Sequence, residues 1–123
     1  MYNLGISCYY HDSAAAILKD GHTVAAVEEE RFSRKKFDDG FPNLAIDWCL
    51  KEIGIRPEEI DSIAFYDKPV LKFDRLLDNY ITVAPRGLYS FLDTIPKWIH
   101  KRLWIKDDIQ KHLKGFQGEI IFP

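Results

Sequence analysis

Leu4–Lys36 reads LGISCYYHDSAAAILKDGHTVAAVEEERFSRKK, and its pattern decides the fold. An apolar run, Leu4–Tyr10, is broken by His11-Asp12-Ser13, and two further apolar runs, Ala14–Lys19 and His22–Val27, are joined by Asp20-Gly21. An Asp-Gly pair between strand-like runs predicts a two-residue hairpin, because both central residues of a type I′ turn take positive φ. That turn sets Lys19 opposite His22, Ile17 opposite Val24 and Ala15 opposite Ala26. Ala15, Ile17, Val24 and Ala26 then share one face, and Ala14, Ala16, Leu18, Ala25 and Val27 the other. Both faces are apolar, so helices are expected on each side of an α/β sheet. At the far end of the hairpin, the short polar loop His11-Asp12-Ser13 is placed to present side chains and N–H groups to a ligand.

After Val27 the composition changes abruptly. Glu28-Glu29-Glu30 is followed by Arg31, Arg34, Lys35 and Lys36. Such a run leaving the end of a buried strand sits where open α/β sheets place ligands. Arg34, Lys35 and Lys36 suit a phosphate, Arg through its planar fork and Lys as a point charge. The alternative is a solvated loop with no ligand.

The remaining segments supply scaffold. Pro42 opens a helix whose polar positions Asn43, Asp47 and Lys51 recur every four residues, and Gly54 ends it. Ser62–Tyr66 reads as a buried strand. Phe73, Leu76, Leu77, Tyr80 and Ile81 mark an amphipathic helix that Ala84-Pro85 breaks. A second helix is expected through Leu88, Phe91, Leu92 and Ile95, with Pro96 as a kink and Trp98, Ile99 and Leu103 continuing its apolar face. A third spans Lys106 to Lys114 and stops at Gly115. His100 and His112 are isolated and read as surface or satisfied residues. Strands are thus expected at about 3–10, 14–19, 22–28, 62–66 and 119–122, with a helical stretch at about 71–114. Glu119–Pro123 opens a strand on which the sequence ends, so the chain is expected to be a piece of a longer protein.

The bulk numbers bound the function. Of 123 residues, 46% are hydrophobic and 29% charged, an ordinary globular composition with room for one core. A net charge of −2 gives no support for nucleic-acid binding through bulk charge. No apolar run approaches the ~20 residues of a membrane span, and no basic, apolar leader opens the sequence, so no membrane is expected and the location expected is cytoplasmic. Cys8 and Cys49 lie inside apolar runs and read as buried, reduced thiols.

Taken together, LGISCYYHDSAAAILKDG, VAAVEEERFSRKKFDDGFP, LAIDWCL, FYDKPVLKFDRLLDNYITVAPRGLYSFL and IPKWI resemble one family across essentially the whole chain. It is the O-carbamoyltransferases of the nodulation-protein U and antibiotic-carbamoylating type. The resemblance implies a truncated half of a Kae1-like domain, of the actin/Hsp70-like ATPase fold, with a YrdC-like domain further on in the full protein. It implies that carbamoyl phosphate and ATP give a carbamoyl-adenylate, whose carbamoyl group passes to the hydroxyl of a small-molecule acceptor. It implies a divalent metal ion held by a His-His-x-x-His motif beyond position 123. It also implies site roles for His11 and Asp12, with Ser13 beside them, and for Arg31, Arg34, Lys35 and Lys36. The chemistry fits this placement. Histidine is the usual group to take a hydroxyl proton, and Lys and Arg stabilise a departing phosphate. His11 is therefore expected as base or phosphate contact, with Lys35 or Lys36 on the phosphate. Two rivals stay open: a kinase-type phosphotransferase of the same fold, and a non-catalytic partner-binding module. An exposed sheet edge also admits a homodimer.

Overall fold

The computed structural model describes residues 1–66, 69–87, 89–90, 92–93, 96 and 105–123, with the backbone alone at 69–73, 80 and 83. Five strands form one mixed sheet: β1 (Tyr2–Ser7), β2 (Ala14–Lys19), β3 (His22–Glu28), β4 (Ser62–Phe65) and β5 (Glu119–Ile121), in the order β3-β2-β1-β4-β5. The β1–β2 and β2–β3 pairs are antiparallel, whereas β4 and β5 join in parallel. Helices among the described residues include α1 (Glu30–Ser33), α2 (Asn43–Ile53), α3 (Pro69–Val83) and α4 (Ile105–His112), with a 3-10 turn at Pro57–Glu59.

The hairpin turn takes the backbone its sequence demands: φ is 50° at Asp20 and 83° at Gly21. Lys19 faces His22 as expected. Beyond Leu18–Thr23 the register shifts, and Ile17 meets Ala25, Ala16 meets Ala26 and Ala15 meets Val27. Val24 is the extra residue of a β-bulge, which reverses the faces expected for the rest of β3. Ala25 is buried with Ala15 and Ile17, and Val24 is 44% exposed. Strict alternation misassigns this strand because its apolar residues fall on both faces and leave the register weakly specified.

The core forms on one face of the sheet. Leu4, Ile6, Ala15, Ile17, Ile63 and Phe65 are buried there, together with Ala45, Ile46 and Cys49 of α2 and Ile105 and Ile109 of α4. His112 of α4 is paired with Asp47 of α2 at 2.8 Å. Helices were expected on both faces. Among the described residues, the opposite face is floored by Gly5, Ala16, Ala26 and Ala64 and carries an open hollow of about 510 Å³. The small side chains along this face leave the hollow open.

Local signals place the other elements. Gly54 closes α2 in a left-handed conformation, φ 75°, with its N–H on the Leu50 carbonyl. At Gly118, just before β5, a Cβ would collide with the Asp61 carbonyl, so only glycine lets β5 approach β4. In α3, Leu76 and Leu77 are half-buried and Ile81 is 71% exposed. The expected continuation through Leu88, Phe91, Ile95, Trp98, Ile99, His100 and Leu103 lies outside the described residues. Among the described residues no helix is long and apolar enough to cross a membrane.

Candidate functional site

Parallel pairing brings the carboxyl ends of β1 and β4, Ser7 and Phe65, to the same edge of the sheet. β2 begins and β3 ends there too, since Ala14 faces Ser7 and Glu28. The loops at 8–13 and 29–42 therefore gather where strand carboxyl ends meet, the usual position of a ligand crevice in open α/β sheets.

The strand β1 stops at Ser7, short of the expected Tyr10, because Tyr9 takes a left-handed φ of 68°. Tyr9 N–H donates to the Asp39 carbonyl at 2.7 Å, and the Tyr9 hydroxyl donates to the Asp108 carboxylate on α4. His11 is exposed, its ring edge-on to Tyr10 at 4.4 Å, and Asp12 is half-buried. Ser13 is only 1% exposed. Its N–H donates to the Asp38 carbonyl at 2.7 Å, its hydroxyl to the Gly40 carbonyl, and its own carbonyl accepts from Glu29 N–H at 2.8 Å. The Ser13 hydroxyl thus ties two loops together and faces the protein interior, while His11 faces solvent.

The charged run divides in two. Glu29 is 5% exposed, and its carboxylate accepts from the N–H groups of Leu44, 3.2 Å, and Ala45, 2.8 Å. These belong to the first turn of α2, which has no capping side chain of its own. Glu29 is a cap supplied from a distant point in the chain, and its charge complements the positive end of the helix. Glu30 accepts from Phe37 N–H at 3.1 Å and so closes the loop on itself. The bases point outward: Arg31, Arg34, Lys35 and Lys36 are all exposed. Arg34, Lys35 and Lys36 surround a hollow of about 220 Å³ with Glu30, and Arg31 on α1 lies outside that lining. Asp38 steadies this loop. The Ser33 hydroxyl, the Gly40 N–H and nearby Lys35 hold its carboxyl below the usual range.

The structure joins the His11 loop and the basic loop through the 38–40 backbone, not through contact between the site side chains. Tyr9, Glu29, Asp38, Asp39 and Asp108 were missed from sequence. The bonds of Asp38 and Asp39 to the His11 loop are made by their backbone carbonyls, and Glu29 and Asp108 act far along the chain from what they hold. Cysteine chemistry is disfavoured here. Burial, with Asp108 and Asp39 nearby, pushes the Cys8 thiol far up, and burial raises Cys49 to about 11. Both thiols are free and buried, as expected. Among the described residues no group of three His, Cys, Asp or Glu side chains is arranged to hold a metal ion.

Residues 2–119 match the family model described as the carbamoyltransferase N-terminus. The chain belongs to the carbamoyltransferase family. An uncharacterized protein of Synechocystis is 54% identical over 110 residues, 89% of this chain and 18% of that protein. Nodulation protein NolNO of Sinorhizobium fredii is 43% identical over 58 residues, 47% of this chain and 8% of that protein. An uncharacterized protein of Methanocaldococcus jannaschii is 36% identical over 61 residues, 50% of this chain and 11% of that protein. The chain therefore spans a minor share of the length of these curated relatives.

Proposed function

We propose that this chain is the N-terminal part of an O-carbamoyltransferase, which uses carbamoyl phosphate, water and ATP to form a carbamoyl-adenylate with release of inorganic phosphate and pyrophosphate. The carbamoyl group then passes to the hydroxyl of a small-molecule acceptor. The observation that carries this reading is the family match over residues 2–119. The strand order β3-β2-β1-β4-β5, antiparallel through the hairpin and parallel beyond β1, supports a Kae1-like, actin/Hsp70-like domain.

In this reading His11 takes the proton of the acceptor hydroxyl as it attacks the carbamoyl carbon. Its place at a strand carboxyl end, exposed on a tied-down loop, supports that role. Asp12 lies beside it, and Ser13 holds the loop. Lys35 or Lys36, with Arg34, meets the phosphates and stabilises the charge on departing AMP. Exposed cations around an open hollow are the chemistry an anion requires. Arg31 adds positive potential from α1. A divalent metal ion, supplying charge stabilisation when bound, is placed on residues past position 123. The protein is read as cytoplasmic and without a nucleic-acid partner.

The test is product analysis of the full-length protein supplied with ATP, carbamoyl phosphate and candidate hydroxyl acceptors. AMP, pyrophosphate and inorganic phosphate, the last from carbamoyl phosphate, are expected. ADP as the nucleotide product would replace this reading with phosphoryl transfer. In the same assay His11→Ala is expected to slow transfer about 100-fold, the scale of a lost general base.

A further inference from the structure

We propose that Tyr9 is a positioning residue for His11, acting through its hydrogen bond to Asp108. This inference deepens the carbamoyl-transfer reading, on which its kinetic readout rests. Tyr9 is the point at which the chain leaves β1 and turns toward the exposed His11. Its φ of 68° is a conformation that a bulky residue rarely adopts and keeps only when its surroundings enforce it. Two groups do so here. The Asp39 carbonyl holds the Tyr9 N–H, and the Asp108 carboxylate holds its hydroxyl. The ring between them packs against the core.

Asp108 is well placed to act as a fixed point. It lies on α4 beside Ile109, which is fully buried, with Ile105 1% exposed one turn earlier. The link therefore runs from a helix anchored in the core, through a rigid aromatic ring, to a backbone reversal two residues before His11. Ser13 anchors the other side of the loop. A catalytic side chain must be held to within a fraction of an ångström, and support from a packed helix is more exact than support from a loop alone.

The experiment uses the full-length enzyme. Tyr9→Phe removes only the hydroxyl. It is expected to lower kcat about tenfold with the KM for ATP unchanged, because the nucleotide contacts lie on the basic loop. Asp108→Asn keeps an acceptor oxygen and is expected to retain most activity, whereas Asp108→Ala should match Tyr9→Phe. In a His11→Ala background, Tyr9→Phe should cost nothing further. A kcat within twofold of wild type, or a full tenfold loss persisting without His11, overturns the proposal. A second readout is independent of turnover. The NMR signals of the His11 ring should move in Tyr9→Phe, while those of His22, across the sheet, stay put. If the wild-type protein transfers no carbamoyl group, the functional reading fails and this readout alone decides: an unmoved His11 signal sinks the positioning role.

Discussion

Glu29 and Glu30 and the bases that follow them in Glu28–Lys36 carry similar charge density, yet the fold uses them in opposite ways, while Glu28 stays exposed. Glu29 turns inward to cap α2, and Glu30 bonds to the loop backbone. Arg31, Arg34, Lys35 and Lys36 turn outward to solvent. The difference follows from donor and acceptor chemistry. A carboxylate accepts hydrogen bonds, and loops and helix starts offer a surplus of unpaired N–H groups for it to satisfy. Lys and Arg only donate; Arg31, in the last turn of α1, and Arg34, Lys35 and Lys36, which follow at its C-terminal end, keep their side chains in solvent, available to an external anion. A charge run is thus read better as two populations than as one surface.

Mutations sharpen that contrast. The largest effect is expected from neutralising the outward set. Arg34→Ala, Lys35→Ala and Lys36→Ala together should weaken ATP binding by the full-length protein roughly 100-fold, equal to losing one or two charge-assisted contacts. The melting temperature should hardly change, and a matching loss of stability would erase the distinction. Next comes Glu29→Ala, which leaves two helix-start N–H groups unpaired. Urea denaturation should show a loss of about 2 kcal/mol, with Glu29→Gln losing less because it keeps one acceptor. Glu30→Ala removes a single, more exposed bond and should cost about 0.5–1 kcal/mol in the same assay.

The smallest expected effect is a pH dependence at Asp38, the carboxylate that steadies the basic loop. Its folded pKa is held low by Ser33, Gly40 and Lys35. The stability it adds is therefore complete above the ordinary aspartate value of about 4 and is lost as the pH falls through the lower, folded value. Acid unfolding of Asp38→Asn should fall less steeply below about pH 4 than that of wild type, and the two curves should run parallel near neutrality.

How far each part was legible follows the range of its signal. The Asp20-Gly21 turn, the cap at Gly54 and the Lys19–His22 pair are local, and the sequence carries them openly. The exposed bases are likewise visible as a run. Val24 was not legible as a bulge, since Val and Ala suit either face of β3 and no polar residue betrays the slip. The capping role of Glu29 was equally hidden, because a cap is sought beside its helix and this one arrives from the end of β3. The stitching of Tyr9 and Ser13 to Asp39 and Asp38 uses backbone atoms that every residue has, and no motif can report it.

The bulge at Val24 has one more effect, on how the protein keeps to itself. Among the described residues β3 is the outermost strand on its side of the sheet. A straight outer strand offers an unbroken row of peptide groups on which a neighbouring molecule can zip its own strand, the first step toward a filament. Here the row falls out of step midway, between Thr23 and Ala25. The irregularity that reversed the faces of this strand also makes it a poorer template for an added strand than a straight edge would be.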